Sequence, residues 1–99
     1  MRDYEMMYIL SPELGDENYP ASVERINSLI TRLGGELGEI NQTSPWGKRR
    51  LAYPIGKFND GYYVVTTLKL DPGQTGELER SLRLNEEVLR HLLVSQEKD

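Results

Sequence analysis

The sequence contains no cysteine, which excludes a disulfide framework, a thiolate metal site and a cysteine nucleophile. It holds a single histidine, His91, and a lone imidazole among apolar neighbours does acid–base work only beside a nucleophile or carboxylate partner. Long apolar runs are missing too, since none approaches the roughly 20 residues that a membrane span needs. The opening Met1-Arg2-Asp3-Tyr4-Glu5 carries no apolar signal core, which makes the cytoplasm the expected compartment. No phosphate-binding glycine loop, HExxH or GxSxG pattern occurs. The acidic side chains fall mostly on helix faces and turns (Asp16, Glu17, Glu77, Glu79, Glu86, Glu87), where solvation and helix-dipole complementarity account for them. These absences predict a protein that is not an enzyme and that uses no metal or cofactor.

What is present is a chain of 99 residues, 37% hydrophobic and 28% charged, which predicts a single soluble domain over residues 1–99 with one modest core. The net charge of −4 hides an asymmetry. Between Ile40 and Asn59 stand four cations (Lys48, Arg49, Arg50 and Lys57) and no acid, so the rest of the chain carries −8. Salt screens distant charges over about 8 Å, so this local basic segment can bind phosphate although the whole molecule is acidic.

The pattern of elements is legible. Tyr4 to Leu10 alternates as a strand, with Tyr4, Met6, Tyr8 and Leu10 on one face and Met7 and Ile9 on the other. From Glu17 to Leu33 the apolar stripe Tyr19, Val23, Ile26, Ile30 and Leu33 predicts an amphipathic helix, with Asp16 as N-cap and Gly34-Gly35 as its stop. Glu36 to Tyr53 reads as one long edge strand, irregular near Pro45. Asn59-Asp60-Gly61 is a hairpin signal. Tyr62 to Leu70 is a strand, Asp71-Pro72 caps a second helix that buries Leu78 and Leu82, and Val88 to Val94 is the last strand ahead of a polar tail. The order βαββαβ predicts an α+β ferredoxin-like sandwich, a four-stranded antiparallel sheet with two helices on one face.

Two segments bear on function. In Trp46-Gly47-Lys48-Arg49-Arg50-Leu51-Ala52-Tyr53-Pro54-Ile55-Gly56-Lys57 the three consecutive cations alternate between strand faces, which suits phosphate contact, while Trp46 and Tyr53 can stack on sugar or base. The competing reading is an edge strand guarded by charge. Asp60-Gly61-Tyr62-Tyr63-Val64-Val65-Thr66-Thr67 faintly matches the central strand of RNA-recognition-motif domains, but has Val64 and Thr67 where that strand wants stacking aromatics and is expected to be core.

Taken together, Met1-Arg2 with Tyr4-Glu5, Trp46-Gly47-Lys48-Arg49 with Leu51-Ala52-Tyr53-Pro54-Ile55, Gly61-Tyr62-Tyr63, and Leu82-Arg83 followed by Val88-Leu89-Arg90 strongly resemble the bacterial small-subunit ribosomal protein S6 family over essentially the whole chain. That resemblance implies a place in the small ribosomal subunit and binding to its RNA jointly with ribosomal protein S18. The residues expected at RNA are Arg2, Lys48, Arg49, Arg50 and Lys57 for phosphates, with Tyr4, Trp46 and Tyr53 stacking or positioning. Two helices cannot cover both faces of an apolar sheet, so Met7 and Ile9 are expected to dock the protein partner. The alternative from another class is a small-molecule-sensing regulatory domain on the same fold.

Overall fold

The computed structural model describes residues 1–41 and 47–96. Along them run β1 (Arg2–Leu10), α1 (Gly15–Arg32), β2 (Glu36–Asn41), β3 (Gly47–Ile55), β4 (Phe58–Leu70), α2 (Thr75–Leu84) and β5 (Val88–Ser95). All strand pairs are antiparallel, in the order β2-β4-β1-β5, and β3 also pairs with β4. β2 lies along Val65 to Lys69 of β4 and β3 along Phe58 to Tyr63, so the two share one edge of the same strand. The sheet is therefore four strands wide, as expected, with its second position divided into two strands rather than continuous. Within β2 the register slips between Leu37 and Ile40. Gly38 permits this, because a Cβ there would collide with Thr67 Oγ1, which accepts a hydrogen bond from the Glu39 amide at 2.8 Å. Pro45, the expected site of irregularity, lies outside the described residues.

The hairpin does not turn at Asn59-Asp60-Gly61. β4 starts at Phe58, which pairs with Ile55 across a two-residue turn of Gly56-Lys57. Gly56 has φ 59°, and a positive φ at the first central residue alone is the type II′ arrangement that matches strand twist. Asn59-Asp60-Gly61 instead belongs to the ladder, with Asp60 opposite Arg50 and Gly61 opposite Arg49.

Both helices are entered through a short 3₁₀ turn after a residue–proline pair. The Ser11 hydroxyl accepts from the Glu13 amide at 3.2 Å, and the Asp71 carboxylate accepts from the Gly73 amide at 2.8 Å. Pro12 and Pro72 supply the fixed φ of a first turn. Asp16 is thus not a cap: α1 already starts at Gly15, and the Asp16 carboxylate accepts the Tyr62 hydroxyl at 2.7 Å.

The core is continuous. Val23, Ile26 and Ile30 of α1 and Leu78 and Leu82 of α2 bury against Tyr4, Met6, Tyr8 and Leu10 of β1 and Tyr62, Val64, Leu68 and Leu70 of β4. Each large aliphatic side chain withdrawn from water in this way contributes about 1.5–3 kcal/mol. A polar brace closes one side. Glu87, in the α2–β5 connection, accepts from the Ser22 hydroxyl at 2.8 Å and from Arg25 Nη2 at 2.7 Å. These hydrogen bonds, Arg25's first, hold the Glu87 carboxyl below its usual range. The sheet face away from the helices carries Met7, Ile9, Tyr63, Val65, Leu92 and Val94, as the pairing register dictates.

Candidate nucleic-acid interface

β1 ends opposite Tyr62, so among the described residues Phe58 to Gly61 pair with β3 alone. β3 and the start of β4 therefore form a two-stranded ribbon that runs past the end of the four-stranded sheet. Its residues do little for the core, apart from Leu51, which is buried. Four of the chain's 12 Lys and Arg residues collect on the ribbon.

Lys48 lies opposite Tyr62 and Arg49 opposite Gly61. Because alternate residues of a strand face opposite ways, Lys48 and Arg50 point to one side of the ribbon and Arg49 to the other. All three are exposed. Lys48 Nζ sits 5.7 Å from the Tyr62 ring centre, the Arg49 guanidinium 5.3 Å from that of Tyr63, and Lys57 Nζ 5.4 Å from that of Phe58. A cation over an aromatic face gains modest attraction and a preferred direction. The four cations line one open groove together with Phe58, Asn59 and Asp60. Tyr53 is 79% exposed on the same ribbon, so its ring has a face available for stacking.

The ribbon is anchored by groups that no local motif announces. The Tyr62 ring stacks on Tyr19 with centres 4.2 Å apart. Burial first, and then its hydrogen bond to Asp16, push the Tyr62 hydroxyl up to about 12, so it stays a proton donor to Asp16 throughout the physiological range. At the turn, Lys57 Nζ meets Glu13 Oε2 at 3.4 Å.

The remaining expected residues are not all brought together. Arg2 pairs with Leu70, at the far end of β4 from Lys48 opposite Tyr62. Eight residues at about 3.3 Å each put the two roughly 26 Å apart, so Arg2 does not lie on the ribbon. Tyr4 must be corrected: it is buried in the helix-covered core, which leaves its ring no face for a base. Trp46 lies outside the described residues.

On the open face, Met7 is half-buried. Ile9 must be corrected. It is 4% exposed, because Ile9 Cγ2 and Leu51 Cδ2 both lie over Gly61 and close that end of the face. On this face the exposed apolar side chains among the described residues are on β5, where Leu92 is 54% and Val94 46% exposed. Leu92 pairs with Met7 and Val94 with Glu5. Sequence reasoning missed Val94 although the alternation of Leu92 and Val94 was there to read.

A family model described as Ribosomal protein S6 matches residues 3–95. Small ribosomal subunit protein bS6 of Caldanaerobacter subterraneus subsp. tengcongensis is 45% identical over 94 residues, covering 95% of this chain and 96% of that protein. The protein of the same name from Carboxydothermus hydrogenoformans is 43% identical over 98 residues, 99% of each. Among solved structures, the 30S ribosomal protein S6 of Thermotoga maritima superposes with a TM-score of 0.87 at 32% identity, covering 96% of this chain and 87% of that one.

Proposed function

The chain belongs to the ribosomal protein S6 family, and from that premise we propose that its basic ribbon binds small-subunit ribosomal RNA while ribosomal protein S18 docks on the open sheet. Family membership makes it a structural, non-enzymatic component of the small ribosomal subunit, and so cytoplasmic. The finer reading is carried by one observation. Lys48, Arg49 and Arg50 are exposed on both faces of a ribbon, and a guard against strand pairing needs only one face of charge. Phosphate contacts position such a surface on RNA, and Tyr53 adds a ring for a base or sugar.

Magnitudes explain the need for a second protein. Four phosphate contacts lose roughly two orders of magnitude in affinity between 50 and 200 mM salt. With an acidic remainder, the chain alone makes a weak RNA ligand, and a basic partner supplies the rest.

The test replaces Lys48, Arg49 and Arg50 together with Gln. The fold should survive, since exposed charges contribute little to stability. Binding to small-subunit RNA in the presence of S18 should weaken, with the log–log salt slope flattened by roughly 0.7–0.9 per lost contact. Unchanged affinity and slope would reduce the triplet to edge protection.

A further inference from the structure

Among the described residues, β5 forms one margin of the sheet and pairs with β1 alone. An open strand margin is a template for another strand, and soluble proteins blunt it with charge, proline or bulges. Among the described residues the opposite margin carries such guards: β2 exposes Glu36 and Glu39 beside Leu37 and Ile40, and β3 exposes Lys48, Arg49, Arg50 and Pro54. β5 is guarded only at its beginning, by the exposed Arg90. From Leu92 to Ser95 it has neither proline nor a charged side chain. His91 is turned inward, with Nε2 3.7 Å from Glu79 of α2. The one irregularity is at the beginning of the strand, where the register slips between Ile9 and Leu10 of β1. Beyond it the pairing is regular, and Leu92 and Val94 stand exposed beside Met7.

We propose that β5 is a strand-addition site, on which a partner protein lays an extended segment of alternating apolar and basic residues. Strand addition draws affinity from main-chain hydrogen bonds and specificity from alternate side chains. Leu92 and Val94 set the apolar positions. Carboxylates near both sides of the margin set the basic ones, with Arg90 the one exposed cation on the strand itself. Glu5 is exposed opposite Val94, and Asp3 follows it on the same face. Glu79 is partly exposed on the helix side, and the exposed Glu86 precedes the strand. A second copy of this chain would bring the same carboxylates against one another, which disfavours it at a net charge of −4. The inference rests on the reading that the chain docks a basic protein, and adds where and how that protein attaches.

Purified ribosomal protein S18 is the probe, mixed with the full chain without RNA, with amide hydrogen exchange followed by NMR and affinity by calorimetry at low and moderate salt. Alternate amides between Arg90 and Ser95 should exchange at least tenfold more slowly in the complex. Val94→Lys, an exposed guard of the kind the other margin carries, should weaken the complex at least tenfold. It should leave the RNA salt slope of the ribbon unchanged. The exchange measurement uses the unaltered chain, so it decides the matter even if the variant folds poorly. A complex without slowed exchange in β5 would overturn strand addition and leave the partner reading standing. No complex at either salt would overturn both. Slowed exchange with doubled mass in the absence of S18 would give the site to a second copy and overturn the basic partner.

Discussion

Gly61 shows how much one missing methyl can decide. It stands at the point where β4 leaves β1, and a Cβ there would lie 2.6 Å from Ile9 Cγ2 and 3.0 Å from the Leu10 carbonyl oxygen. Neither neighbour is the far end of a flexible chain. Gly61→Ala should therefore cost about 1–3 kcal/mol, the usual range for overpacking a filled site, and denaturant unfolding would measure it. A cost near zero would mean that the ribbon can tilt away from β1 without loss. The same contact explains why Ile9 is unavailable to a partner, which its place in an alternating strand could not reveal. Tyr4 illustrates the converse: its alternation with Met6 and Tyr8 fits the core as readily as a role at RNA, and its burial under the helices decides for the core.

At the scale of the element, α1 was the most legible, because a stripe at helical spacing has one consistent interpretation. Ile30 is fully buried at the centre of that stripe. Ile30→Ala should cost about 2–5 kcal/mol through lost methylenes and a residual cavity, read from the shift in denaturant midpoint. A change below about 0.5 kcal/mol would mean the stripe does not pack as described. Turns were less legible than helices. Asn-Asp-Gly is a strong local signal, yet the hairpin turns at Gly56-Lys57, because the ladder with β3 needs Asn59 to Gly61 as strand. Likewise Asp16 looked like a cap while its actual partner, Tyr62, is 46 residues away. Local propensity names residues that can turn or cap, and tertiary pairing chooses among them. The basic ribbon was readable as charge and alternation. Its projection beyond β1 was not, since that follows from where β1 stops.

For the whole molecule, the Glu87 brace couples acidity to stability. Its carboxyl lies below the ordinary value of 4.5 when folded, so the unfolded chain takes up the proton first as pH falls. The stabilisation is complete above 4.5 and drains away as pH drops from there through the lower folded value. Glu87→Gln should flatten that acid limb in a pH series of thermal melts while leaving its slope above pH 6 unchanged. An acid limb as steep as the parent's would place the sensitivity in other carboxylates. The comparison needs the chain without RNA, because a ligand bound only to the folded state raises apparent stability by mass action.

β4 is one unbroken strand shared by the ribbon and the sheet, and this has a mechanical meaning. With the ribbon held by RNA and β5 held by a second protein, any pull between them passes from β4 to β1 and from β1 to β5. A pull along the strands would load both antiparallel ladders in shear, so their hydrogen bonds would share it instead of opening one after another. The short ladder between β3 and β4 is joined by a tight turn and can peel from that end. Under tension the tip of the arm gives way first, and the folded centre acts as a tie-bar between the two things it joins.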